Sequence, residues 1–312
     1  MTSVTVVGSG IVGLTSAIML QESGFSVKLI SKAGFEKSLS WKVGAIWFPF
    51  EIQPKEKTNR WATLAYQRYA TDVIEGNGIK FIPFITAYTA ESNIDWTSQL
   101  PAGKVRQATR EELPKGMEMA FISHVPLAEP LLYLPYLFEK FLQSGGEYKE
   151  LEISSLKELA ALDSWVINCT GLGAKSLCND DDLHPMRGQI LRCNKMKIPS
   201  FANPTKRGAL SYVINRSEDS VIGGTDYEND WNESIDPADT ELILNRLTES
   251  GVTENPEILE VIVGLRPRRS AVRFEFDLNY PNVFHNYGHG GAGFTVAWGC
   301  AMELAEILEK RN

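Results

Sequence analysis

The chain has 312 residues, 43% of them hydrophobic and 22% charged, which at ~150 residues per domain makes about two globular domains with a real core. With 31 basic against 39 acidic side chains the net charge is -8, so the phosphate-neutralising surplus of a general nucleic-acid binder is absent. Cys169, Cys178, Cys193 and Cys300 form no C-x-x-C pair, which argues against zinc and disulfide frameworks and for a reducing, cytoplasmic home. A glycine motif starting at Gly8 leaves no room for a signal peptide. No apolar run approaches the ~18 residues of a membrane span, so a soluble protein is expected.

The opening SVTVVGSGIVGLTSAIMLQESGFSVKLIS reads as strand, glycine turn, helix, glycine stop and strand, a βαβ unit that calls for a parallel α/β sheet. Val4, Val6 and Val7 are β-branched strand residues; Ile11, Leu14, Ile18 and Met19 make the apolar helix face, which ends near Gly24. From 51 to 130 mixed pieces are broken by Pro54, Pro83, Pro101, Pro114 and Pro126, and this stretch reads as a separate, substrate-facing region. Residues 130–143 are helical and stop at Gly145 and Gly146. Strands near 147–153 and at 165–171 return the chain to the nucleotide sheet. YVIN at 212–215 and SVIGGT at 220–225 suggest a hairpin, a helix follows over 237–250, and the end is a strand, a glycine-dense loop and an amphipathic helix. No internal repeat or linker appears, so the two domains are interleaved.

Gly8, Gly10 and Gly13 form G-x-G-x-x-G between a strand and a helix. That spacing gives a tight turn, lets backbone approach a pyrophosphate and brings amide dipoles to bear on it. The second strand usually ends on an acidic side chain for a ribose hydroxyl, but here it ends on Ser31 and Lys32. Ser31 offers a hydroxyl, and Lys32 is either a phosphate contact or a solvated lysine. His285 and His289 have the i, i+4 spacing of a ligand pair. A glycine-filled loop does not hold helical spacing, no third ligand is evident, and no metal is expected. Neither a Ser-His-Asp order, nor a paired-carboxylate motif, nor a phosphate-transfer loop is present.

VINCTGLGA at 166–174, RGQIL at 187–191, VGLRPRRSAVRFE at 263–275, HNYGHGGAGFTVAWG at 285–299 and GAIWFP at 44–49 together resemble the D-amino-acid oxidase and D-aspartate oxidase family of FAD enzymes. The resemblance implies a Rossmann-type FAD-binding domain (1–50, 131–195 and 280–312) interleaved with a substrate domain (51–130 and 196–279) on a mixed, largely antiparallel sheet. It implies FAD contacts at Gly8, Gly10, Ile11, Val12, Gly13, Ser31, Lys32, Gly44, Ala45, Trp47, Thr170, Gly171, Gly290, Gly293, Phe294 and Thr295. Arg266 matches the family arginine that clamps the substrate carboxylate, Tyr212 the phenol that donates to the same group, and Gly291 the carbonyl that accepts from the substrate amine. A planar guanidinium suits the clamp because it presents two charge-assisted donors at once.

Gly208 and the Asp226, Tyr227 pair stand at the two positions where family members carry the lid tyrosine. The implied reaction takes a D-amino acid and dioxygen to a 2-oxo acid, ammonia and hydrogen peroxide, by hydride transfer from Cα to flavin N5. Asp226 is expected to favour neutral or basic side chains, whereas Lys206, Arg207 and Arg216 would serve an acidic one. The alternatives are a D-aspartate or D-glutamate oxidase, a glycine or sarcosine type amine oxidase, and a flavin-binding protein without turnover. Homo-oligomerisation stays open.

Overall fold

The computed structural model describes residues 2–49, 52–89, 94–114, 116–204 and 210–311. The chain divides into a first unit, Met1–Ile79, Ala128–Pro185 and Arg266–Asn312, and a second, Lys80–Leu127 and Met186–Leu265. It opens with β1 (Ser3–Val7), α1 (Ile11–Glu22), β2 (Ser26–Ser31) and α2 (Lys55–Thr71). β3 (Ile79–Tyr88), β4 (Val105–Gln107) and β5 (Met119–Ala128) carry it into the second unit. It returns as α3 (Pro130–Gln143), β6 (Glu147–Glu150), α4 (Leu156–Ala160), β7 (Trp165–Asn168) and α5 (Ala174–Leu177). Next come β8 (His184–Asn194), β9 (Ser200–Asn203), β10 (Ser211–Asn215), β11 (Asp219–Gly223), β12 (Tyr227–Glu228) and α6 (Pro237–Glu249). β13 (Ile258–Phe276), β14 (Val283–His289) and α7 (Gly293–Glu309) close the chain.

In the first unit the parallel strands run β6-β2-β1-β7-β14, and the last part of β13 lies antiparallel on β14. Val4, Val6, Leu29, Val166, Ile167 and Val283 are fully buried, as expected of parallel strands covered on both faces. α1 is buried nearly all round because α7 and α3 pack on it, and α7 in turn carries α2. α1 ends as its glycine stop requires. Gly24 takes φ +85°, its N–H donates to Gln21 O and the Phe25 N–H donates to Leu20 O, so two terminal carbonyls are satisfied. The second unit's sheet follows β4-β5-β3-β9-β10-β11-β8, with β3 and β9 parallel and the β10–β11 hairpin antiparallel. α6 inserts Ile243 and Leu247 against Leu191, Cys193, Val213 and Ile222.

The compact units differ from the expected boundaries. Residues 51–79 lie with the first unit and not with a substrate region, because α2 seats Trp61 against α7: a Cβ on Gly299 would stand 2.2 Å from Trp61 O, and Trp61 Nε1 donates to Glu303 at 2.7 Å. Residues 186–195 fall in the second unit, since β8 pairs β11 from Ile190 to Asn194. Residues 266–279 fall in the first, since β13 pairs β14 there. The strand expected over 147–153 stops at Glu150, and the one expected to 171 stops at Asn168. No helix among the described residues is long and apolar enough to cross a membrane.

Candidate active site

The turn from β1 into α1 is dictated by backbone packing. Gly8 has φ +116° and a Cβ there would lie 2.3 Å from Cys169 O; a Cβ on Gly13 would lie 1.7 Å from Gly8 O. Gly10 differs, because the nearest atom to its missing Cβ is the Ser40 hydroxyl at 3.1 Å, on the open side of the turn. Gly10 is the N-cap of α1, with no side-chain cap and no acid in the first turn, and the Ile11 N–H donates to Ser40 Oγ at 3.1 Å. Ile11 is buried and Val12 half-buried. The positive end of α1 thus meets an approach that only glycine leaves open, which suits a pyrophosphate. Ser40 carried no sequence signal, since it lies outside the glycine motif.

Ser31 and Lys32 are otherwise engaged. The Ser31 hydroxyl donates to Ala33 O at 2.5 Å and accepts from Tyr148 at 2.9 Å. Lys32 is exposed and pairs with Glu152 at 2.6 Å, which is the solvated alternative. In the 44–48 segment, Gly44 is buried and Ala45 adopts φ 56°, its carbonyl accepting from the Ala128 N–H. Trp47 is a core side chain whose Nε1 donates to Ala62 O at 2.9 Å. The Phe48 N–H donates to Thr295 Oγ1, and that hydroxyl donates to Phe48 O, each at 3.1 Å, strapping the segment to the start of α7.

α7 also begins without a side-chain cap or an acid in its first turn. A Cβ on Gly293 would stand 3.6 Å from Ile11 Cγ2, so the α1 and α7 N-termini adjoin. Phe294 is buried and its carbonyl accepts from Tyr69 at 2.8 Å. Before α7, Gly290 takes φ 55° and its N–H donates to Pro267 O at 2.8 Å. Gly291 is exposed, and a Cβ there would lie 3.7 Å from Arg266 Cδ. Arg266 is half-buried on β13, so a guanidinium side chain lies beside a side-chain-free turn. Arg269 and Arg273 are paired elsewhere, the first to Asp180 at 3.0 Å and the second to Glu275 at 3.0 Å.

Thr170 and Gly171 follow β7. Thr170 Oγ1 donates to Asn168 Oδ1 at 2.8 Å, and Gly171 has φ 57°. His285 is wholly buried between Asn168 at 3.1 Å and Asp277 at 3.0 Å. His289 lies beside the Cys300 thiol at 3.6 Å, and burial pushes its imidazole down to about 4. The two histidines thus serve separate buried partners. Among the described residues no group of three or more His, Cys, Asp or Glu side chains is arranged to hold a metal ion.

In the second unit Tyr212 pairs with Gly223 across the hairpin, and its ring fills the space a Gly223 side chain would need: a Cβ there would meet Tyr212 Cζ at 2.1 Å. Asp226 is half-buried. Tyr227 is 41% exposed and its hydroxyl donates to Asp239 at 2.7 Å, beside the buried Arg187–Asp239 pair. Arg216, expected as a spare cation, is buried and held bidentate by Asp219 at 2.5 and 2.7 Å, so its charge is spent. Lys206, Arg207 and Gly208 lie outside the described residues.

The first unit fits a dinucleotide: a cradle that Cβ atoms at Gly8 and Gly13 would destroy, two adjoining helix N-termini with no acid in either first turn, and a cation beside exposed backbone. The family model described as "DAO: FAD dependent oxidoreductase" matches residues 3–307. A D-amino-acid oxidase of Rubrobacter xylanophilus is 34% identical, covering 97% of this chain and 94% of that protein. One from Dictyostelium discoideum is 32% identical over 98% of this chain and 91% of the relative. The crystal structure of L-proline dehydrogenase from P. horikoshii has a TM-score of 0.82 at 16% identity, covering 100% of this chain and 94% of that one, which shows a shared fold.

Proposed function

The chain belongs to the DAO family of FAD-dependent oxidoreductases, and from that membership we propose that it oxidises D-amino acids. The observation that carries this reading is Arg266 lying against the exposed Gly291 turn, next to the N-terminus of α7. The guanidinium binds the α-carboxylate through two parallel donors and so fixes the substrate's orientation. Gly291, lacking a side chain, leaves its carbonyl accessible to the amine, which binds neutral. Tyr212 is the proposed neutral donor to the carboxylate. No side-chain base is required. FAD, when bound, would supply the hydride acceptor at Cα with dioxygen as the final oxidant, giving hydrogen peroxide and an imino acid that water then hydrolyses to a 2-oxo acid and ammonia.

Gly8, Gly10, Gly13 and the first turn of α1 would hold the pyrophosphate; Thr170, Gly171 and the 44–48 backbone would line the same cofactor, with Gly290, Gly293 and Thr295 near the flavin. The α7 dipole favours negative charge at its first turn. We assign neutral or basic side chains to the substrate, because Arg216, the described cation expected to meet an acidic one, is held by Asp219.

The test is a visible spectrum of the purified protein, followed by anaerobic addition of individual D- and L-amino acids. Bleaching of a flavin band by D-alanine or D-lysine but not by their L-forms is expected. Bleaching by L-forms alone, or an absent flavin band, overturns the reading.

A further inference from the structure

Asn168, at the end of β7, makes four contacts that leave its amide one orientation. Its Oδ1 lies 3.2 Å from the Thr170 backbone nitrogen and 2.8 Å from Thr170 Oγ1; its Nδ2 lies 3.1 Å from His285 Nδ1 and 3.2 Å from Cys178 Sγ. A backbone N–H only donates, so the oxygen must face Thr170 and the NH2 must face His285. That NH2 needs a lone pair on His285 Nδ1. The single imidazole proton therefore sits on Nε2, where it donates to Asp277 Oδ2 at 3.0 Å. Asp277 is itself fixed by accepting from the Asn279 and Tyr280 N–H groups at 2.8 and 3.0 Å.

We propose that His285 is a positioning residue of the cofactor site: held neutral between Asp277 and Asn168, it aims the Asn168 oxygen at both Thr170 donors, and its protonation releases the Thr170–Gly171 turn and weakens FAD binding. A second proton on Nδ1 would face the Asn168 NH2. The amide would have to turn over, bringing NH2 against the Thr170 N–H and leaving both Thr170 donors without their acceptor. The charged and titratable neighbours of His285 are Asp277, Arg273 and Glu275 around the end of β13, Tyr287 on its own strand, and Cys178 across Asn168. Burial and Arg273 oppose its charging while Asp277 and Glu275 favour it, and the balance lies below an ordinary imidazole. Arg273 also reaches Asp277 at 3.7 Å, so that carboxylate is not reserved for an imidazolium.

The inference rests on the proposed contact of Thr170 and Gly171 with FAD. The test is a flavin-fluorescence titration of the apoprotein with FAD from roughly pH 8 to 4.5, extended below the ordinary histidine range because burial holds His285 below it. For wild type, Kd should rise on acidification with a limiting slope of about tenfold per pH unit, one proton taken up for each FAD released. His285→Asn does not titrate and places an acceptor oxygen toward Asn168, so it should bind FAD with a flattened profile. His285→Gln places its amide toward Asp277, leaves Asn168 unsupported, and should bind weakly at every pH. Independently, nitrogen-15 NMR of histidine-labelled apoprotein should show His285 as the neutral Nε2–H tautomer at neutral pH, a readout that survives if either variant fails to fold. A flat wild-type profile, a wild-type slope in His285→Asn, or an Nδ1–H tautomer overturns the inference alone. Absence of FAD uptake at every pH overturns the cofactor reading and this inference with it.

Discussion

Replacing Gly13 with alanine should break the β1–α1 turn, whereas the same change at Gly10 should spare the fold and damage only cofactor binding. A Cβ at position 13 would stand 1.7 Å from Gly8 O and 2.8 Å from Gly8 C. An ordinary carbon–oxygen contact is about 3.3 Å, so α1 would have to move away from β1 by roughly 1.5 Å. β1 cannot follow, because β2 and β7 hold it on both sides. The shift would also unseat Leu14, Ala17 and Ile18, which are at most 2% exposed. Overpacking typically costs 1–3 kcal/mol, and the lost core contacts add to it, so a cost of about 3 kcal/mol or more is expected. At position 10 the nearest atom is the Ser40 hydroxyl at 3.1 Å, a side chain that rotates away, so the stability change should stay below about 1 kcal/mol. The methyl would nevertheless occupy the phosphate approach and free the Ile11 N–H from Ser40, and FAD affinity should fall by about tenfold or more, the equivalent of ~1.4 kcal/mol. Urea unfolding of the two apoproteins, followed by circular dichroism, and FAD titration would separate the effects. A Gly13→Ala protein within 1 kcal/mol of wild type, or a Gly10→Ala protein equally destabilised, would refute the reasoning.

Arg266→Ala should retain FAD but lose roughly 2–5 kcal/mol in kcat/KM, the cost of truncating one partner of a charge pair, while Tyr212→Phe should lose about 0.5–1.5 kcal/mol; steady-state kinetics with the best D-amino acid checks both, and unchanged Arg266→Ala efficiency removes the clamp. Asp226→Asn should raise efficiency on D-aspartate relative to D-alanine and D-lysine by up to about a hundredfold, since like charges ~6 Å apart at an effective dielectric of ~20 repel by roughly 3 kcal/mol; identical ratios in the two enzymes would take Asp226 out of substrate selection. Burial lowers His289 to about 4 against ~6.5 unfolded, so the unfolded chain binds the extra proton first. Its contribution to stability is therefore intact above pH ~6.5 and falls as pH drops toward about 4, by about 3 kcal/mol in all. His289→Leu should flatten that limb of the pH–stability curve, and an unaltered acid limb would contradict the assignment.

What the sequence made legible were the local junctions. The valine run, the G-x-G-x-x-G spacing and the Gly24 stop each obey a rule that acts within a few residues, and β1, α1 and β2 follow from them. Units defined by distant contacts were less legible. The prolines between 51 and 130 suggested broken structure, yet Pro54 merely precedes α2, whose allegiance is decided by Trp61 and Lys57 meeting Glu303 some 240 residues later. β13 crosses between the units without a break in pattern, so no composition shift marks residue 266. At the site, residue type was readable but availability was not. Arg216 looked like a spare cation until Asp219 claimed it, and the Tyr227 hydroxyl donates to Asp239. Asn168 lay inside the VINCTG string that carried the family resemblance, but its role depends on His285, 117 residues away.

The convergence of the two glycine-rich junctions has a simple cause in the sheet. β1 and β14 run parallel on either side of β7, and the register sets Val7, Asn168 and His285 level. A helix that leaves the carboxyl end of one such strand starts on the same edge as a helix that leaves the other. Two strand spacings separate the exits by only about 10 Å, within reach of a dinucleotide. α1 leaves after the Gly8–Gly10 turn and α7 leaves after the Gly290–Ala292 turn, so Gly293 is brought over Ile11. The same register places His285 opposite Asn168, making the strand that delivers the α7 dipole also the strand that orients the β7 exit. The proposed cofactor cradle and the imidazole proposed to tune it thus follow from one alignment, and a substitution that slips β14 by a residue should disable both together.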